Sequence, residues 1–142
     1  MKRLLKHTSA ALLAFALTSA APAADPSPVD ISVIFKKAHP EAADKEVVVK
    51  RIELQPGASA PPHMHPGMIT GYVVSGSLEF QLKGEPVQKL KAGDTFFEPP
   101  GSHHILAKNP DPSAKTLIIA FVINPKGAPL SVPLRGETGK GH

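Results

Sequence analysis

The 142 residues read as an all-β chain that closes into one small barrel or sandwich. Three observations point there. Short apolar or alternating runs recur about every eight to twelve residues, with turn signals between them. No window sustains an apolar repeat of 3.6 residues, the mark of a long amphipathic helix. Sixteen prolines and eleven glycines, without a period, suit many turns rather than long helices.

The first residues stand apart from that pattern. Lys2, Arg3 and Lys6 precede a short apolar run, Ala10 to Leu17, and Ala21-Pro22-Ala23 fits a small-x-small cleavage site. Residues 1–23 are therefore expected to be a secretory signal peptide rather than a membrane anchor, because a spanning helix needs about 20 apolar residues. No cysteine follows the apolar run and no Arg-Arg pair precedes it, which argues against lipid attachment and twin-arginine export. The expected location is secreted, in the periplasm. Removing 23 of 142 residues leaves 119, one domain's worth. The formal charge of +4 falls to +1 without the three leader cations. No basic patch with interleaved aromatics remains, so nucleic acid is not an expected partner. With no cysteine, thiol chemistry and disulfides are excluded, and any metal site must use His, carboxylate, Met or water.

Residues 24–44 read as an N-terminal arm and linker, Pro-rich to Asp30, with Ile31 to Phe35 as an edge strand on the barrel or on a second subunit. His39 has no motif around it and reads as a surface residue. The barrel is assigned to residues 45–124. Lys45 to Leu54 is the first clear strand, with Lys50 and Arg51 read as solvated. Gly57 to Pro62 approaches the next segment as an extended, proline-stiffened stretch. Ile69 to Val74, a Ser75-Gly76 turn and Ser77 to Lys83 read as a β-hairpin, with Leu78, Phe80 and Leu82 on one face. Val87 to Leu90, Thr95 to Glu98 and His103 to Ala107 are further strands. Lys115 to Asn124 is the most apolar and is expected at the centre of the core, with Phe80, Phe96, Phe97 and Phe121 as core aromatics. Residues 125–142 form a tail without periodicity, partly disordered, in which Val132 to Leu134 could dock on the barrel and His142 has no functional claim.

The chemistry centres on PPHMHPGM. Side chains on an extended strand alternate faces, so His63 and His65 point one way and Met64 the other. Two imidazoles at this spacing can bind one ion. A second cluster, PPGSHH from Pro99 to His104, offers a third.

Gly57-x5-His63-x-His65-x3-Ile69-x6-Gly76 resembles the first motif of the cupin superfamily, and Gly93-x5-Pro99-x-Gly101-x2-His104 resembles the second. The resemblance covers about Lys45 to Asn124 and is to small single-domain cupins. It implies a conical jelly-roll barrel, a metal held by His63, His65 and His104, and a homodimer. The family's usual glutamate ligand falls here on Ile69, so either a three-histidine centre remains or the site is weakened. The Asn that closes the second motif falls on Lys108, with Asn109 following. This suggests a one-residue insertion and leaves His103 as the alternate third ligand. Loss of an anionic ligand shifts preference from hard ions such as Mn towards imidazole-preferring ones, and Met68 raises the possibility of copper. Fe, Ni, Cu, Zn and Mn are not distinguished. Tyr72, the only tyrosine, is a weak candidate for a catalytic role; Glu98 and Gln81 are weaker still. Two functional readings follow: an oxygen-dependent, dioxygenase-like oxidoreductase acting on a small organic substrate, and a non-enzymatic periplasmic binder of copper or a small molecule.

Overall fold

A computed structural model describes residues 27–136; the leader assigned to residues 1–23, the first three residues of the arm (24–26) and the last six residues lie outside the described residues. Eleven strands run in chain order: β1 (Val29–Ala38), β2 (Lys45–Leu54), β3 (Ser59–Ala60), β4 (His63–Met64), β5 (Met68–Ser75), β6 (Ser77–Leu82), β7 (Gln88–Lys91), β8 (Thr95–Glu98), β9 (His103–Lys108), β10 (Thr116–Pro125) and β11 (Val132–Pro133). One sheet has the order β1-β2-β10-β5-β8, the other β11-β4-β9-β6-β7 with β3 on β9. Every pairing is antiparallel.

The burial pattern explains the arrangement. In β6, Leu78, Phe80 and Leu82 are buried and alternate with half-buried Ser77, Glu79 and Gln81. In β10, Ile118, Ala120 and Val122 face inward on the central strand of the first sheet, as its apolar sequence leads one to expect. These residues join Val48, Leu54, Ile69, Val73 and Phe96 in one core between the sheets. Each buried Leu, Ile, Val or Phe side chain contributes about 1.5–3 kcal/mol relative to exposure.

The expected hairpin between β5 and β6 does not form. β5 pairs with β10 and β8, whereas β6 pairs with β7 and β9. The two strands lie in opposite sheets, and each alternates because each turns one face to the shared interior. Gly76 makes the crossing, with φ of 79° and its Cα against the Lys115 carbonyl, where a Cβ would sit 2.5 Å from that oxygen. Tight turns between paired strands and crossings between sheets carry the same Ser-Gly signature, so the sequence does not separate them.

Three further expectations change. β1 is a full ten-residue edge strand rather than a short run, paired along β2 with an irregularity between Val33 and Phe35. Phe97 and Phe121 are each 51% exposed on the outer face of the first sheet, not in the core. Lys50 is 5% exposed, because strand alternation turns it inward with Glu46 and Val48.

Candidate metal centre

The sheets bring the three expected histidines together. His63 on β4 is the direct cross-strand partner of His104 on β9. His65 follows β4, and its carbonyl accepts a 2.8 Å hydrogen bond from the Gly101 N–H. The Pro-Gly turn before β9 is thus bonded to the HxH segment itself. One ring nitrogen from each of His63, His65 and His104 lies within 4.8 Å of the others. The His63 ring is 4.7 Å from that of His65 and 4.9 Å from that of His104, centroid to centroid.

Backbone carbonyls orient two of the rings. His63 Nδ1 lies 2.8 Å from the Pro61 carbonyl, and His65 Nδ1 bonds the Leu130 carbonyl. With Nδ1–H donating, each ring keeps its Nε2 lone pair free to bind an ion. The C-terminal segment therefore contributes to the centre: Leu130 holds His65, and β11 pairs with β4 through Val132–Met64 and Pro133–His63. His104 is seated differently. Its ring lies 4.5 Å from that of Phe80, which lies 4.6 Å from Phe96. Phe96 fills the space left by Gly71, where a Cβ would come within 2.0 Å of the Phe96 ring.

The insertion inferred in the second motif is a bulge. On β6, Leu82 faces His104 and Gln81 faces Leu106, leaving Ile105 without a partner. The extra residue comes after His104, so His104 keeps the motif spacing and Asn109 takes the closing position one residue late. Asn109 is fully buried and its amide donates to the carbonyls of Leu54, Gln55 and Ala114. His103 pairs with Met64 on the other face of β9 and is not in the triad.

Burial tunes the titratable groups. It holds His65 down at about 4, helped by the charge of Lys50, and His104 down at about 3, helped by His63, with the Leu106 backbone offsetting a small part. It also lowers His63. All three imidazoles are therefore neutral near pH 7, the form that ligates metal. Glu98, the last residue of β8, is 2% exposed and is pushed up to about 7 by burial, against the opposing charge of Lys50. Its Oε2 lies 3.4 Å from His104 Nδ1 and 3.8 Å from His65 Nε2, and has no hydrogen-bond partner. Burial likewise lowers Lys50. Three neutral imidazoles converging beside buried, unpartnered lone pairs fit a divalent transition ion.

The centre sits in the wall of a cavity of about 500 Å³ between the sheets. Lys50, Glu98 and the triad are its charged and ligating groups, and most of the remaining lining is apolar, including Val29, Ile31, Ile52, Leu54, Phe96 and Ile118.

Residues 50–121, half of the chain, match the family described as the Cupin domain. The chain belongs to the cupin family. The cupin fold recurs in its structural neighbours. An uncharacterized conserved protein with a double-stranded β-helix domain from Klebsiella pneumoniae subsp. pneumoniae MGH 78578 is 29% identical over 78% of this chain and 89% of its own, with a TM-score of 0.57. The DMSP lyase DddQ of Ruegeria pomeroyi DSS-3 is 20% identical over 81% of this cupin, with a TM-score of 0.62. A recombinant oxalate oxidase in complex with glycolate is 22% identical over 78%, with a TM-score of 0.60. The alignments span 54% of the lyase and 57% of the oxidase. No curated protein sequence matches the chain.

Other expected site residues lie elsewhere. Tyr72 is 44% exposed on the outward face of β5 and does not line the cavity, because Gly71 and Val73 are the inward residues of that stretch. Met68 alternates with inward-facing Ile69 and is likewise absent from the cavity wall. Gln81 points away from the interior and donates to the Glu85 carbonyl. Lys50 was read as solvated and Glu98 only as a weak candidate, yet both face the site. Parity with inward Val48 and Phe96 is the signal that finds them.

Proposed function

We propose that this cupin is an exported metal-dependent oxidoreductase that uses oxygen on a small organic substrate. The observation that carries the reading is the cavity: about 500 Å³, largely apolar, with the triad, Glu98 and Lys50 among its lining residues. A carrier of metal alone needs ligands but no chamber of that size. When bound by His63, His65 and His104, a divalent transition ion supplies Lewis-acid or oxygen-activating chemistry. The protein's own part is to hold three neutral imidazoles, exclude bulk water with apolar walls and present one buried cation. Lys50 suits an anionic group on the substrate, a carboxylate or phenolate, because a buried ammonium gains most from a paired negative charge. The fold-level likeness to an oxalate oxidase seen with glycolate agrees with a small acid.

The reading is tested on protein purified from the periplasm. Metal content is measured first, then oxygen uptake across a panel of small carboxylates and phenolics. Stoichiometric Fe, Mn, Ni or Cu with substrate-dependent uptake, lost in His65→Ala, is the expected result. Tight metal without turnover would instead establish a binder. The copper version of that second reading has less support, because no thioether lines the cavity among the described residues.

Export rests on the leader-like residues 1–23 and is checked by fractionation of cells expressing the full chain. A homodimer is also proposed. β1 is an edge strand that exposes Ile31, Ile34 and Phe35 by 47–56%, and such edges invite pairing. Light scattering should give twice the monomer mass, falling to the monomer in Phe35→Lys.

A further inference from the structure

We propose that Glu98 is a fourth metal ligand, a carboxylate moved from β5 to the neighbouring strand β8. The inference rests on the reading of the triad as a metal site and goes beyond it.

The residue at the first motif's acidic position, Ile69, cannot ligate. Its side chain is 1% exposed and points into the interior. Its direct cross-strand partner is Glu98. Directly opposed residues of an antiparallel pair share a face, with Cβ atoms about 4.5–5.5 Å apart. A carboxylate lost at position 69 and present at 98 therefore enters the same space, from one strand further along the sheet.

The atoms around it are arranged for an ion. Glu98 Oε2 is buried without a hydrogen-bond partner, 3.4 Å from His104 Nδ1 and 3.8 Å from His65 Nε2. His65 has committed Nδ1 to the Leu130 carbonyl, so Nε2 is its free lone pair. Neither ring nitrogen of His104 has a hydrogen-bond partner of good geometry, the Leu106 backbone being only near enough to act on it weakly. Buried carboxyl and imidazole groups left without partners are costly, and native proteins seldom leave such groups unmatched. One cation bound by Glu98 Oε2, His65 Nε2 and the lone-pair nitrogen of His104 satisfies those lone pairs at once, the other His104 nitrogen keeping its proton. The donor set becomes three imidazoles and one carboxylate, which admits harder ions than imidazoles alone.

The alternative is that Glu98 only receives a hydrogen bond from His104 and so positions that ring. Metal selectivity separates the two. Mn(II) and Zn(II) affinities are measured by chelator competition on the mature protein, wild type against Glu98→Gln, Glu98→Ala and His65→Ala. A ligand role predicts that both Glu98 variants lose at least about 100-fold in Mn(II) affinity and no more than about 10-fold in Zn(II) affinity. Equal losses for the two ions mean positioning and overturn the assignment. If His65→Ala loses both ions while the Glu98 variants keep wild-type Mn(II) affinity, the Glu98 assignment alone falls. If His65→Ala keeps both ions, the triad reading falls and Glu98 with it.

Discussion

Replacing Glu98 by glutamine should make the metal-free protein more stable at alkaline pH, by an amount that grows with pH. The carboxyl is held at about 7 in the folded chain against an ordinary 4.5, with burial as the main cause. An acid whose folded value is raised binds its proton more tightly in the native state. Its stabilising contribution is complete below pH 4.5 and is lost as pH rises through 7. Between pH 5 and pH 8 the wild type should therefore lose about 2–3 kcal/mol that the glutamine variant keeps, at about 1.4 kcal/mol per pH unit over roughly two units. The fixed cost of fitting an amide into the site cancels when the difference between the proteins is compared at the two pH values. The histidine contributions also cancel: His65 and His104 are lowered chiefly by burial, and Glu98 is not among the causes of their shifts. The assay is urea unfolding in EDTA at pH 5 and pH 8, with stability from linear extrapolation. A difference between variant and wild type that does not move with pH would show that Glu98 is not held protonated by its surroundings, and the account of the site's electrostatics would fail.

Three further outcomes follow from the same geometry. Restoring a carboxylate at position 69, in the double variant Ile69→Glu with Glu98→Gln, should recover Mn(II) affinity by at least about tenfold over Glu98→Gln alone in a chelator competition, because the two positions face each other across β5 and β8. Gly71→Ala should destabilise the protein by about 1–3 kcal/mol in urea unfolding, since its methyl would overlap the Phe96 ring that backs Phe80 and His104. Lys50→Met should tighten Zn(II) binding and weaken glycolate binding by about tenfold or more in calorimetry, because the Lys50 charge opposes positive charge on all three histidines and is the cation proposed to meet an anion.

The fold was largely legible because its strands are amphipathic over several residues. The stretch from Thr95 to Glu98 and that from Lys45 to Leu54 coincide with β8 and β2, and the apolar run after Lys115 is the central strand β10. Pairing was less legible. Alternation in β5 and β6 reports that each has one buried face, and it is silent on whether the faces belong to one sheet or two. Local turn chemistry at Ser75-Gly76 then favoured the hairpin, while the decisive contacts, β5 with β10 and β6 with β9, join residues from 22 (Leu82–His104) to 55 (Met68–Ile123) positions apart. Loop closure over such distances leaves no local signature.

The site divides along the same line. His63, His65 and His104 were legible because motif spacing encodes them, and even the bulge at Ile105 showed as a one-residue offset before Asn109. Lys50 was misjudged because charged residues are ordinarily exposed, and that general expectation outweighed the alternation of its own strand, while Glu98 was ranked only among the weakest candidates. In EVVVK, Val48 faces inward, so Lys50 two residues on does too; in TFFE, inward Phe96 carries Glu98 with it, while Phe97 is turned out. A buried charge in a strand whose parity is set by apolar neighbours has been placed there against its solvation energy. Here two such charges of opposite sign border one cavity beside three neutral imidazoles. On the proposal that Glu98 ligates, the glutamate missing at Ile69 is replaced rather than lost. The first motif alone suggests a site stripped of its anion, whereas the pairing of Ile69 with Glu98 puts a carboxyl group on the same face one strand along, the position from which the proposed fourth ligand would come.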